Sequence, residues 1–558
     1  MTEPQSLQSL TSAASEERFR QIFFAHLEAD GFTEADAYRM IFKTPEKFHQ
    51  APSPDHGPDL LDASRQSYRQ QLAYGWFFEG LNRKPAACES CLQAPDKPVT
   101  FVVVPGIFGE FIEQLPFHEV LERKGSRFAS QWQAALDQAP DEVYSLLELK
   151  NVPCKLSDTV KIASIDQGGR SFADLIVLNA QGGSLETLGS LASNAQVFQQ
   201  RLSKVFELIA GDTDIYLVGY SRGLAVALEL VSSLHEQERN GQLSGTDAGW
   251  FKRLRGVVGL GGVYYGANFA HQALAGKSGA TSDLVRLICE ISGGLMTVPD
   301  DANLAEKTEI VANNAKVWAD FVKRIKEGKP PKVADGKSFL DIDLGDAFAR
   351  EGKARILGRD VPVPSPWGIF SLVSNFFLQT FNLKKFVSSY NENILGFKQL
   401  VEAVVTGVHT LTPASRDEWW RDHDLPERLV LLSITGSMPD AYLNDFGSPL
   451  WHFEGFGART SDYNVSLRAS YYDTVFSEET LINDSQVSHF CSRYWEEMYP
   501  QHRYPHYYLG VLGTHHWGMA FPFTIRDDRK NGGGNAFPRA ILLKSVASFI
   551  SSLERQEQ

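Results

Sequence analysis

The sequence has few cysteines, no long unbroken apolar run and no excess of positive charge. Each absence excludes something. Five cysteines, at 88, 91, 154, 289 and 491, make no even framework in 558 residues. The expectation is free thiols in a reducing cytoplasm. Cys88 and Cys91 form a lone C-x-x-C. Without a second pair, or histidines at finger spacing, it carries no zinc or redox assignment. Nothing approaches the roughly 18 consecutive apolar residues of a membrane span. The first residues, "MTEPQSLQSLTSAASEERF", lack a charged stretch followed by an apolar one, so no secretory signal and a cytoplasmic location are expected. With 54 Lys and Arg against 68 Asp and Glu, the net charge is −14. A general nucleic-acid or anionic-membrane surface would need clustered cations, and neither partner is expected. There is also no internal repeat at solenoid periods and no low-complexity tract.

What is present fits a globular chain too large for one ordinary core: 62.1 kDa, 43% hydrophobic and 22% charged. One large domain with insertions, or two domains, is expected. Residues 1–95 read as a helical, peripheral extension. "SEERFRQIFFAHLEADGF" and "SRQSYRQQLAYGWFFEGLN" space their apolar residues as helices do, and "SPDHGPD" between them is a loop. From about 97 the character changes. "PVTFVVVPGIFGEF", "FADLIVLNAQGG", "DIYLVGYSRG" and "RLRGVVGLGGVYYGA" are short apolar strands ending in turns. A helical "SLASNAQVFQQRLSKVFELI" lies among them. Such alternation predicts a mostly parallel sheet covered on both faces. It stops at 268, resumes at 426 with "ERLVLLSITGS", "TLINDSQVS" and "HYYLGVLGTHHWGMAFP", and closes on "PRAILLKSVASFISSL". The sequence therefore divides into a split core, 96–267 and 426–558, and a mainly helical cap insertion, 268–425.

The chemistry centres on Gly219-Tyr220-Ser221-Arg222-Gly223. With 45 glycines in the chain, G-x-S-x-G arises readily by chance, so its context must decide. Ile215 to Val218 reads as a buried strand. Leu224, Ala225, Ala227, Leu228 and Leu230 follow at helical spacing. A serine on so tight a strand-to-helix turn sits in a strained conformation. Glycines two before and two after let strand and helix approach, as a nucleophile elbow requires. The turn also puts the Arg222 N–H at a helix start, where it can stabilise an oxyanion. A second donor is expected after an early strand. In "VVVPGIFGEF", Gly106 lets the backbone approach a substrate and Ile107 offers its N–H.

A serine hydroxyl needs a base, and the base needs an orienting carboxylate. On such a sheet the order is Ser, acid, His. His515 and His516 follow the strand Tyr508 to Leu512. His516 is preferred because it immediately precedes Trp517 and a helix start; His515 is then its neighbour. For the acid, Asp484 in "LINDSQVS" is preferred to Asp440 in "ITGSMPDAY". His502, His506, His515 and His516 cluster in sequence but have no carboxylate at a familiar ligand spacing, so no metal and no cofactor is expected.

Together "PGIFGEF", "VGYSRG", "GVVGLGGVYYGA", "NDSQVS" and "GTHHWG" resemble the α/β-hydrolase superfamily, most of all its lipase-type esterases, over about half of the chain. Two blocks depart from the pattern: Ser485 stands where glycine is usual, and "VYYGA" replaces the usual post-elbow turn. The resemblance implies the α/β-hydrolase fold and cleavage of carboxylic esters, lipid or other acyl esters among them. Acyl transfer, thioester cleavage and a catalytically silent binding role use the same fold and stay open. In the cap, "SPWGIFSLVSNFFLQTFNLKKFV" is aromatic and apolar. It could line an acyl pocket, act as a lid or touch a lipid surface transiently, or simply pack the insert. The amphipathic "NENILGFKQLVEAVVTGVHTL" follows it.

Overall fold

Short aliphatic, β-branched runs form strands where both faces can be buried. Val99–Val104 (β2) reads VTFVVV, and all of it is buried. Ile215–Tyr220 (β5) is likewise buried throughout. The computed structural model describes residues 11–50, 94–107, 115–122, 127–145, 150–167, 169–179, 187–209, 211–267, 292–299, 301–326, 390–437, 486–521 and 537–557, with shorter stretches within 85–92, 270–274, 353–362 and 482–484.

The remaining strands of the main sheet are Ile41–Phe42 (β1), Val160–Gln167 (β3), Arg170–Leu178 (β4), Leu254–Leu260 (β6), Val430–Gly436 (β7) and His506–Leu512 (β8). The eight lie in the order β1-β8-β7-β6-β5-β2-β4-β3. From β8 to β4 every pairing is parallel. The two edge strands, β1 and β3, run antiparallel to their neighbours. Helices cover both faces. The mostly parallel sheet covered on both faces is what the alternation predicted, and its arrangement is that of the α/β-hydrolase fold, which the resemblance implied.

Alternate residues of β2 serve opposite cores. Phe101 and Val103 pack with Phe19 and Phe23 of Ser12–Ala29 (α1) and with Phe549 of Arg539–Glu557 (α6). Val102 and Val104 pack with Phe198 of Leu191–Leu208 (α2) and Leu228 of Arg222–Arg239 (α3). The order of strands also fixes where a ligand can sit. The chain leaves β2 towards β4 and β3 but leaves β5 towards β6, on the opposite side. In open sheets of this kind the ligand crevice lies where successive connections diverge, which here is at the carboxyl ends of β2 and β5.

The N-terminal segment corrects one expectation. Its first helix, α1, is not peripheral. Phe19, Phe23 and Leu27 are completely buried, and each such side chain contributes roughly 1.5–3 kcal/mol. β1 extends the sheet, with Ile41 opposite Leu512. Ser15 donates to the Tyr508 carbonyl at 2.7 Å, and Gly513 N–H donates to the Met40 carbonyl at 2.9 Å. Sequence periodicity shows a helix's apolar face but not what covers it. The helix expected over 64–82 and the loop over 53–59 lie outside the described residues.

A second correction concerns the thiols. Cys88 and Cys91 are joined in a disulfide. The 3₁₀ turn Glu89–Leu92 brings their Cα atoms to 5.4 Å, within disulfide reach. Cys154 and Cys491 are free, and Cys289 lies outside the described residues. In the insert, Leu304–Lys326, Tyr390–His409 (α4) and Pro413–Asp422 (α5) are helical, and Lys353–Ile356 pairs antiparallel with Arg359–Pro362. The aromatic stretch from Trp367 to Phe381 lies outside the described residues. Among the described residues, no helix is long and apolar enough to cross a membrane.

Candidate active site

Ser221 follows the last residue of β5 and caps α3. Its φ is 54° and its ψ −128°, a backbone state that side chains other than glycine rarely adopt. The turn is held by neighbours. Ser221 N–H donates to the Leu260 carbonyl at 3.2 Å, and Val263 N–H donates to the Ser221 carbonyl at 3.3 Å. Both flanking glycines are required by space. A Cβ on Gly219 would strike the Leu224 backbone, and one on Gly223 would strike the Val104 carbonyl oxygen. Strand and helix thus approach as the sequence pattern demands.

The loop after β2 lies directly against the serine. A Cβ on Gly106 would come within 2.9 Å of Ser221 Cβ. Ile107, the next residue, packs near Val263, Leu411 and Val487. Those three come from the turn after β6, the segment after α4 and the loop that carries Asp484. A small aliphatic cluster therefore joins the parts of the chain that surround the crevice.

The candidate acid and base come together from positions 32 residues apart. His516 Nδ1 lies 2.7 Å from Asp484 Oδ2, and both side chains are buried. Asp484 Oδ1 accepts from the amides of Gln486 at 3.0 Å and Val487 at 2.8 Å. His516 N–H also donates to the Asp484 carbonyl at 2.7 Å. The aspartate thus fixes its partner through side chain and backbone. A carboxylate at Nδ1 holds the proton there and leaves the lone pair on Nε2. Nε2 is buried, with no hydrogen-bond partner among the described residues. The Tyr220 hydroxyl donates to the His516 carbonyl at 3.1 Å, and the two rings are 5.1 Å apart. The residue before the serine therefore carries the imidazole.

His515 faces elsewhere. Its Nδ1 accepts from Gly518 N–H at 3.1 Å. Burial, with help from His516 and Arg539, lowers its pKa to about 3, so it is neutral through the physiological range. His502 and His506 bind carbonyl oxygens of Trp420 and Tyr504 at 2.7 and 3.1 Å. Among the described residues, no group of three or more His, Cys, Asp or Glu could hold a metal. Asp440 lies outside the described residues.

Arg222 does more than its backbone suggested. It is the first residue of α3, so its N–H belongs to the turn where a helix supplies no acceptor of its own. Its side chain is a buried clamp. Nη1 donates to the Thr187 carbonyl at 2.7 Å and Asn194 Oδ1 at 2.5 Å, and Nη2 to the Gly189 carbonyl at 2.6 Å. Nε donates to Thr410 Oγ1 at 3.2 Å, just past the end of α4. Gly189 N–H in turn donates to the Ala403 carbonyl on α4 at 2.9 Å. The elbow, the segment ahead of α2 and the insert are thereby stitched together. No spacing signal in the sequence could have shown this, because two of its four acceptors are backbone oxygens and all four lie in segments distant from the elbow.

Distant likenesses exist among solved structures. A metagenomic carboxyl esterase superimposes with a TM-score of 0.40 at 13% identity, covering 100% of this chain and 97% of that chain. Staphylococcus hyicus lipase gives 0.35 at 12%, covering 83% of this chain and 99% of that chain. A Bacillus licheniformis lipase in mature form gives 0.28 at 9%, covering 76% and 88%. No family model and no curated protein matches the sequence. The functional reading rests on the site itself.

Proposed function

We propose that the protein is a serine hydrolase that cleaves carboxylic esters through an acyl-enzyme. The observation that carries this reading is the buried Asp484–His516 pair, 2.7 Å apart, whose Nε2 has no partner among the described residues. That pair lies against the residue preceding a strained serine, at the divergence point of the sheet. An imidazole oriented in this way is a general base in search of a proton.

The reaction runs as follows. His516 Nε2 removes the Ser221 proton as Oγ attacks the ester carbonyl. The oxyanion is held by the N–H groups of Ile107 and Arg222. His516 returns the proton to the departing alcohol. Water, deprotonated by the same nitrogen, then releases the acid and restores Ser221. In this structure Nε2 does not yet hydrogen-bond Ser221; such contacts commonly tighten only when substrate binds. The aliphatic cluster around Ile107, Leu411 and Val487 supports an apolar acyl group in the crevice.

The test is fluorophosphonate labelling of the wild type and of Ser221→Ala, with the labelled peptide mapped by mass spectrometry. Label is expected on Ser221 and nowhere in the variant. A folded wild-type protein that takes no label, even with a small probe and detergent present, would end the reading.

A further inference from the structure

The Cys88–Cys91 pair has no part in the ester chemistry, and its surroundings are unusual. Cys91 is 3% exposed and packs in the core with α1 and α6. Cys88 is half-buried, so it is the sulfur that solvent reaches. Arg18, on α1, donates from Nη1 to Cys88 Sγ at 3.2 Å. Arg18 Nε is buried and has no hydrogen-bond partner among the described residues. The formal charge acting on Arg18 is the like charge of Arg555, near the end of α6. A partly desolvated guanidinium thus rests on a sulfur, with no carboxylate acting on it among the described residues. A thiolate at Cys88 would be its counter-charge.

The other described thiols are opposites. Burial, aided by Asp141, raises the pKa of Cys154, and burial pushes Cys491 up to about 11. Thiolates, not thiols, do the chemistry, and adjacent cations make them.

We infer that Cys88 and Cys91 form a thiol–disulfide exchange site that takes a dithiol as reductant, with Cys88 as the reacting sulfur and Arg18 holding its thiolate. One thiolate of the dithiol attacks Cys88 Sγ. The S–S bond to Cys91 breaks, and Cys91 leaves as a thiolate. The second thiol of the dithiol gives its proton to Cys91 and, as a thiolate, attacks the first sulfur of the reductant. Cys88 leaves as a thiolate beside Arg18. Two electrons pass from the dithiol, which becomes a cyclic disulfide, to the protein. The reverse sequence reoxidises the pair. The exchange uses none of the residues proposed for ester cleavage, and its activity is independent of the ester-hydrolase reading.

The test uses the full-length protein, first oxidised with oxidised dithiothreitol and then titrated with dithiothreitol in native buffer. Iodoacetamide traps the thiols and mass spectrometry assigns them. Cys88 is expected to be alkylated first and, at pH 7, about tenfold faster than Cys154, the change one unit of pKa brings. Its rate should rise with pH through an inflection below about 8.5, the ordinary thiol value. Arg18→Gln should slow alkylation at pH 7 by a similar factor and hardly at all at pH 9.5; Arg18→Lys should restore most of the rate. The inference fails if the pair does not oxidise, or is reduced only in urea. It also fails if wild-type Cys88 reacts no faster than Cys154 or inflects at or above 8.5. Should Arg18→Gln not fold, the wild-type pH profile decides alone.

Discussion

The two sides of the candidate site are built by different means. The nucleophile side is local: a strand, a positive-φ serine and a helix within a few residues, with glycines where neither backbone tolerates a Cβ. The base side is assembled at long range. Asp484 sits in a short loop closed by an Asn483–Ser488 bridge, and His516 reaches it from the end of β8. A local motif survives as long as its turn does. A non-local pair depends on every hydrogen bond that aims it. The two sides should therefore fail differently when cut.

The sharpest cut separates the adjacent histidines. His516→Gln should lower kcat/KM on a short nitrophenyl ester by about 10⁴-fold or more, as removal of a general base does. His515→Gln should leave activity within about threefold, because its nitrogen serves a backbone turn and not Asp484. Equal losses in the two variants would assign the wrong base.

Asp484 tests the aiming. Asn at 484 keeps an acceptor for the Gln486 and Val487 amides but presents an NH₂ to His516, favouring the wrong tautomer. Activity should fall roughly 10³–10⁴-fold with little change in urea midpoint. Asp484→Ala should lose activity and also about 1–3 kcal/mol of stability, since one buried and one part-buried amide lose their acceptor. An Asn variant of wild-type activity would break the proposed pair.

On the local side the effect should be smaller. Gly106→Ala places a methyl where Ser221 Cβ lies 2.9 Å away. A displacement below 1 Å is expected, with a loss of about 10–100-fold in kcat and the same pH–rate profile. An unchanged kcat would mean that the loop yields without cost.

Acid should distinguish the sides by stability. Burial, with Lys544, holds His26 to about 3; burial, with Arg493 and His49, holds His489 well below the ordinary value; His515 is held to about 3. His489 and His515 both flank the base side. Each is neutral in the folded protein and charged below 6.5 when unfolded, so the unfolded state binds more protons between 6.5 and the folded value. Stability is full above 6.5 and is lost as pH falls towards 3, by up to about 1.4 kcal/mol per pH unit for each histidine. Urea midpoints at pH 7, 6 and 5 should fall in that order, and less steeply in His515→Gln. A flat series would refute it.

Legibility followed the same divide. β2, β5 and β6 were readable because their runs are short, aliphatic and buried on both faces. β3 was passed over, since "VKIASIDQ" mixes charge and polar residues along an edge strand. β1 is two residues long, too short for any period to show. The elbow was visible as a pattern, and Asp484 and His516 as candidates among alternatives.

By itself the sequence determined the parallel core, the position of the serine turn and the types of residue available for chemistry. All follow from periodicity and steric demands within a few neighbouring residues. Only the tertiary structure decided that Asp484 faces His516 and not His515, that Arg222 clamps the insert to the elbow, that α1 belongs to the core, and that Arg18 meets Cys88. Those contacts join distant segments, and no local preference encodes which surfaces meet when the chain buries its apolar faces.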